Sequence, residues 1–241
     1  MNSFTVGGLF SGVGGVELGF QQAGFETAWA NEFDKYSSKT YRLNHGEHLI
    51  EDDVHLLQGK NLQPVDVLVG GFPCQAFSVA GYRKGFRDPR GNLFFEIARL
   101  IEELETPPKA IMLENVKGLS SHDNGKTAEV IKDTLRVLGY SVFWNILNTS
   151  QLTNVPQNRE RTIIVGFRDE ADWVDTKNME FPLASTNFDS VYPPKNKKRN
   201  RSIRDLLEPE VDDKYYYGPD KYMYKELKAS MKNPETAYQW R

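Results

Sequence analysis

"FTVGGLFSGVGGVELGF", residues 4–20, passes from a short apolar run through glycines at 12, 14 and 15 into a segment of helical period. A strand that turns through glycine straight into a helix opens an α/β unit, and this stretch decides the fold. Outward from it, short apolar runs keep alternating with helical segments, as in a parallel sheet covered on both faces. The pattern predicts strands over 4–10, 26–31, 65–70, 110–115, 140–148 and 162–167, with a further strand ending near Asp53. It predicts helices over 13–23, stopped by Gly24, over about 34–44, over 92–104 and over 126–138, with Gly139 just past the last. The helix at 92–104 repeats apolar residues at 93, 94, 97, 100, 101 and 104, which gives one buried stripe. The expected fold is therefore α/β, a Rossmann-like, mostly parallel sheet with helices on both faces, formed by residues 1–168. From residue 169 the periodicity fails. Prolines at 182, 193, 194, 209, 219 and 234 and the basic run "KNKKRNRSIR" make 169–241 an irregular extension.

Composition bounds the function without naming it. A chain of 241 residues with a net charge of −3 gives no general reason to expect a nucleic-acid partner. The start lacks a basic leader followed by a long apolar run, and no stretch approaches the roughly 18–20 apolar residues that span a bilayer. The chain is expected to stay in the cytoplasm. One cysteine excludes an internal disulfide, and His45, His48, His55 and His122 show no metal-ligand spacing with it, so no metal site is expected.

The glycine turn lies where open α/β sheets bind nucleotide-like ligands. A dinucleotide fingerprint would carry glycine at position 17, where this chain has Glu17, and an acid near a helix start repels a pyrophosphate. An acid at the end of the second strand, Glu32, suits a ribose whose hydroxyls need an acceptor. The turn and acid together imply a nucleoside cofactor without phosphates; taken alone, Gly12 to Gly15 would be only a tight turn.

"VLVGGFPCQAFSVAG", residues 67–81, places the sole cysteine in a loop directly after a buried-looking strand. A lone cysteine is usually a small inert hydrophobe. Here Gly70 and Gly71 let the chain turn at the carboxyl edge of the sheet, where ligands bind, so Cys74 is expected to face the cleft. The following "GYRKGFRDPRG" carries Arg83, Lys84, Arg87 and Arg90 against Asp88, with Tyr82 and Phe86 between, and reads as a phosphate-binding loop or an ordinary solvated one.

Phe-Pro-Cys-Gln at 72–75, with "FSGVGG" at 10–15, "ENV" at 114–116 and "PQNRER" at 156–161, resembles the cytosine-5 DNA methyltransferase family in motif order and spacing. The resemblance implies the S-adenosylmethionine-dependent methyltransferase fold. It implies that the Cys74 thiolate adds to carbon 6 of cytosine, that Glu114 supplies a proton or hydrogen bond at ring nitrogen 3, and that Arg161 contacts the base carbonyl. Arg159 would position the catalytic loop or the DNA backbone, with Gln157 supporting. Gln75, Ser78, Arg83, Lys84, Arg87 and Arg90 would meet the DNA. S-adenosylmethionine would lie against Phe10, Gly12, Gly14, Gly15 and Pro73, with Glu32 on the ribose, Phe33 stacked on adenine and Asp53 accepting from its amino group. Structurally, Glu114 and the arginines would otherwise form a mere ion pair. Family members continue into a target-recognition region and a carboxy-terminal motif that are absent here. The expectation is the catalytic subunit of a split restriction-modification methyltransferase, acting on duplex DNA and completed by a second polypeptide. The alternatives are a truncated, non-catalytic module that binds cofactor or partner, and an RNA cytosine methyltransferase.

Overall fold

A computed structural model describes residues 3–73 and 93–168 and, further on, 205, 209–210, 212, 219–220 and 222–230. It divides into two units. The first holds the described residues up to Leu147 together with 160–168; the second holds Asn148–Arg159 and the described residues from 205 onward.

The first unit is a seven-stranded sheet. Its strands are β1 (Thr5–Leu9), β2 (Glu26–Glu32), β3 (Leu49–Glu51), β4 (Val67–Gly71), β5 (Ala110–Val116), β6 (Tyr140–Asn148) and β7 (Glu160–Arg168). They stand in the order β3-β2-β1-β4-β5-β7-β6. β1 pairs in parallel with β2 and β4, as do β2 with β3 and β4 with β5, while β7 runs antiparallel to β5. The order reverses between β1 and β4, the switch point at whose carboxyl edge such sheets bind ligands.

Local chemistry sets the helices. Gly14, at φ 91°, is the left-handed N-cap of α1 (Gly15–Gln22), so the helix begins two residues later than the apolar period suggests; Gly24, at φ 90°, follows its end. Asp34 caps α2 (Lys35–His45), its carboxylate accepting from the backbone of Tyr36 and Ser37. In α3 (Leu93–Glu103) the buried stripe is Phe94, Ile97, Ala98, Leu100 and Ile101, spaced at three and four residues. Arg99 on its other side bonds Glu96, Glu103 and the carbonyls of Val54 and Leu57, tying α3 to the chain between β3 and β4. Ala128, Ile131 and Leu135 form the corresponding stripe of α4 (Lys126–Val137).

The main core joins α3 and α4 to Leu68, Ile111, Leu113 and Ile164. Leu68, Ile111, Leu113 and Phe94 are no more than 1% exposed, so truncating any of them to alanine costs about 2–5 kcal/mol. In the second unit, α5 (Thr149–Leu152) is a single turn capped by the Asn148 side chain, and α6 (Tyr222–Ser230) is a short helix. Among the described residues no helix is long and apolar enough to cross a membrane.

Candidate active site

β1 ends in an unusual backbone. Phe10 is held at φ 55°, left-handed for a residue with a side chain, which costs about 1–2 kcal/mol and persists only where the surroundings impose it. A Cβ on Gly70 would stand 3.2 Å from the Leu9 carbonyl oxygen, so its bare backbone makes room for the end of β1, with the Phe10 ring in ordinary contact at 3.7 Å. Ser11 N–H donates to the Asn31 carbonyl at 3.0 Å, and Gly12 follows at φ 56° with open space around it. Gly14 is compelled twice, by its φ and by the His45 ring, which fills the place a Cβ would take.

Glu32, at the end of β2, closes this turn. Its Oε2 accepts from Gly12 N–H and its Oε1 from Asp34 N–H, both at 2.7 Å. A carboxylate has about four acceptor positions, so two remain for a ligand's hydroxyls. Beside it the Phe33 ring is 73% exposed, unusual for so large an apolar group. Asp53 lies two residues past β3, and its Oδ1 accepts from His55 N–H at 3.0 Å and faces His55 Nδ1 at 2.6 Å. These bonds, the backbone one foremost, hold its carboxyl below the usual range.

Asn31 is a residue that motif reasoning missed. It is buried, and its Nδ2 donates to the carbonyls of Ile50 at 3.1 Å and Asp52 at 2.8 Å, locking the ends of β2 and β3 together. A polar side chain directly before Glu32 in an otherwise buried strand was the available signal.

Glu17 does not do what its position suggested. It is 1% exposed, folded back so that its carboxylate fills the space beside Gly8 under the turn. Burial pushes its pKa up, with the nearby Ser11 hydroxyl pulling the other way, and its Oε2 finds no hydrogen-bond partner. The reason drawn from sequence for excluding a pyrophosphate, a surface charge at the helix start, is therefore not the role this residue plays.

A second group of polar residues gathers where β4 and β5 end and β7 begins at the same edge. Gly71 is in register with Glu114, and Val116 with Arg161. Arg161 Nε lies 2.7 Å from Glu114 Oε1, each side chain about a quarter exposed. Phe72 is buried, its ring 5.7 Å from that of Phe94, and its carbonyl accepts from Asn115 Nδ2 at 2.8 Å. Asn115 is thus a second residue missed from sequence. Lys117 pairs with Glu160 at 2.8 Å, and Thr162 Oγ1 donates to the Val116 carbonyl, fastening the ends of β5 and β7.

Gln157 and Arg159 belong to the second unit. There Thr149 N–H donates to the Arg159 carbonyl at 3.0 Å, Arg159 N–H to that of Gln157 at 3.0 Å, and Asn148 Nδ2 to Asn158 Oδ1 at 2.7 Å. Pro73 is the last described residue of its stretch; Cys74, Gln75, Ser78, Arg83, Lys84, Arg87 and Arg90 lie outside the described residues. Among the described residues no three histidine, aspartate or glutamate side chains gather to hold a metal.

A seven-stranded sheet with one reversed strand and a glycine turn facing an acid at the end of β2 is the fold of S-adenosylmethionine-dependent methyltransferases. Dnmt2 methyltransferase of S. pombe superposes with a TM-score of 0.66 at 26% identity, over 88% of this chain and 63% of that one. Residues 4–240 match the family of C-5 cytosine-specific DNA methylases, and the chain belongs to it. It is 44% identical to the type II methyltransferase M.Bsp6I of Bacillus sp. (strain RFL6), over 98% of this chain and 71% of that protein. It is also 44% identical to M.SsoII of Shigella sonnei, over 86% of this chain and 50% of the relative. The family implies S-adenosylmethionine as cofactor. The residues present fit such a group: an open glycine turn, a carboxylate with acceptor positions to spare, and an exposed aromatic ring beside it.

Proposed function

We propose that the chain methylates carbon 5 of cytosine in duplex DNA, as the catalytic part of a restriction-modification methyltransferase completed by a second polypeptide, in the cytoplasm of a bacterial host. The observation that carries the reading is the Glu114–Arg161 pair. A strut between strands would make the same 2.7 Å contact, but this one stands beside Gly71, in the strand leading to Cys74. Asn115, adjacent to Glu114, also holds the Phe72 carbonyl two residues before the cysteine.

Carbon 5 of cytosine is too weak a nucleophile to take a methyl group unaided. The Cys74 thiolate adds to carbon 6, and the electron pair of the 5,6 double bond becomes available at carbon 5. Glu114 stabilises the charge that develops toward ring nitrogen 3 by donating a proton or hydrogen bond there, and Arg161 holds Glu114 in place while contacting the base carbonyl. S-adenosylmethionine supplies an electrophilic methyl on a sulfonium. After methylation, loss of the carbon 5 proton to a base expels the thiolate and restores the ring. Glu32 takes the ribose hydroxyls, Phe33 the face of adenine and Asp53 its amino group. Phe10, Gly12, Gly14, Gly15 and Pro73 line the rest. Arg83, Lys84, Arg87 and Arg90, with Gln75 and Ser78, meet the DNA, and Arg159 and Gln157 support the loop.

The chain spans 71% of M.Bsp6I and 50% of M.SsoII, and the completing polypeptide is assigned the part of these relatives that has no counterpart here. Extruding a cytosine costs a few kcal/mol that must be recovered from contacts to base and duplex. The deciding experiment is methyl incorporation at one defined site, with and without a complementing polypeptide. The chain alone is expected to bind DNA weakly, salt-sensitively and without sequence preference, and to methylate little. Full, site-specific activity of the isolated chain would refute the second polypeptide; no activity in any completed complex would refute the enzyme.

A further inference from the structure

Asp53 carries one more bond than its place in the backbone requires. It is extended, at φ −66° and ψ 130°, and caps the single turn Val54–Leu56. One bond makes that cap, and His55 N–H supplies it to Asp53 Oδ1 at 3.0 Å. The His55 ring then brings Nδ1 to the same oxygen at 2.6 Å, which the turn does not need. The Asp53 carboxyl is held below its usual range, by the backbone bond first and the ring bond second, so the hydrogen between ring and carboxylate sits on Nδ1. Both donors meet Oδ1, and among the described residues nothing donates to Oδ2.

The backbone on either side is fixed by other means. Asn31 Nδ2 donates to the Asp52 carbonyl and Asp53 N–H to Asp52 Oδ1, both at 2.8 Å. Beyond the turn, Arg99 donates to the carbonyls of Val54 at 3.1 Å and Leu57 at 3.0 Å, and the side chains of Val54 and Leu57 are buried. The His55 side chain, by contrast, is 39% exposed and pairs only with Asp53 among the described residues. The ring thus holds a side chain and not the path of the chain. We propose that His55 aims Asp53 at the 6-amino group of the cofactor's adenine, and so sets the preference for a 6-amino over a 6-oxo purine. This rests on the assignment of Asp53 to that amino group. A single backbone donor leaves the carboxylate free to tilt about the shared oxygen, whereas a second donor on that oxygen fixes its plane and presents Oδ2. An amino group donates to Oδ2, while a 6-oxo group sets two acceptors face to face. His55 is a positioning residue, acting through Asp53, and immobilising one such side chain in advance is worth about 2- to 12-fold in affinity.

Glu32, Phe33 and Asp53, the residues assigned to the adenosine half, all lie in this chain, so the intact 241-residue protein is titrated by calorimetry. The probes are S-adenosylhomocysteine and S-inosylhomocysteine, its 6-oxo counterpart. The parent should prefer the first. His55→Ala should weaken S-adenosylhomocysteine about 2- to 12-fold and S-inosylhomocysteine not at all, so that the preference shrinks. His55→Asn, whose amide nitrogen can stand where Nδ1 does, should restore it. Melting curves check the folding of each variant. Equal weakening of both ligands in His55→Ala would show a structural role and overturn the proposal. So would a preference unchanged in His55→Ala or unrestored in His55→Asn. Asp53→Ala separates the two ideas. A preference abolished there but unchanged in His55→Ala removes His55 and spares the adenine assignment; a preference that survives Asp53→Ala, or a parent that binds neither ligand, removes the assignment and the proposal with it.

Discussion

Replacing Glu32 tests the cofactor site most sharply, because each carboxylate oxygen has two duties. Oε2 already accepts from Gly12 and Oε1 from Asp34, both at 2.7 Å, and the remaining acceptor positions are the ones assigned to the ribose. Glu32→Ala removes the charge-assisted bonds to the cofactor, worth about 1.5–3 kcal/mol, which converts to roughly a 10- to 150-fold loss of affinity. It also frees Gly12 from its tether, so the loss should sit in the upper half of that range. Glu32→Gln is the stricter variant. Its amide nitrogen would confront one of the two backbone N–H donors, so it should bind S-adenosylmethionine nearly as poorly as the alanine variant. Titration calorimetry of S-adenosylmethionine against the completed complex measures both, with thermal melting to confirm folding. Affinities within twofold of the parent for both variants would show that Glu32 shapes the turn and does not touch the cofactor.

Further outcomes follow from the same geometry. Cys74→Ser should abolish methyl transfer in the completed complex while leaving cofactor affinity unchanged, because a hydroxyl is a far poorer nucleophile; measurable turnover near the parent rate would remove the thiol from the mechanism. DNA bearing 5-fluorocytosine at the target should become covalently attached to the parent protein and not to this variant, read as a band shift under denaturing conditions. Asn115→Ala leaves the buried Phe72 carbonyl without its donor and should cost about 1–3 kcal/mol in urea unfolding, with kcat falling more than KM rises. Glu17 has its folded pKa raised by burial, so the folded state binds the extra proton and stability falls as pH rises from about 4.5 through the raised value. Glu17→Gln should flatten that fall in melting curves taken between pH 4 and 8; an unchanged slope would mean that another group titrates there.

The alternation of apolar runs made the sheet and its helices legible, since burial on both faces leaves the same mark wherever it occurs. Boundaries moved where a cap intervened: α1 starts at Gly15 because Gly14 is left-handed, and β7 starts at Glu160 because its pairing with β5 runs as far as Val116 and Arg161. Glu32 and Glu114 were legible as acids at strand ends. Asn31 and Asn115 were not, because their work is done on carbonyls 19 to 43 residues away, which no local pattern records. Glu17 was misread because sequence gives a residue's distance from a helix start and not the direction of its side chain.

Strand direction explains why two motifs on opposite sides of their strands meet. Phe72 and Pro73 follow β4 and "ENV" closes β5, so both fall at the carboxyl edge of a parallel pair. "PQNRER" instead comes before the body of β7, and in a parallel strand Arg161 would have stood at the opposite, amino edge, some 20 Å away at about 3.3 Å per residue. Because β7 runs antiparallel to β5, its first residues arrive at the carboxyl edge, Arg161 falls in register with Val116, and its guanidinium reaches Glu114. The reversed strand is thus the topological condition for the pair, and nothing in the apolar pattern of "ERTIIVGFR" states it. The residues proposed for the cofactor need no such device. They follow β1, β2 and β3, three parallel strands that deliver the glycine turn, Glu32 and Asp53 to the same edge by direction alone.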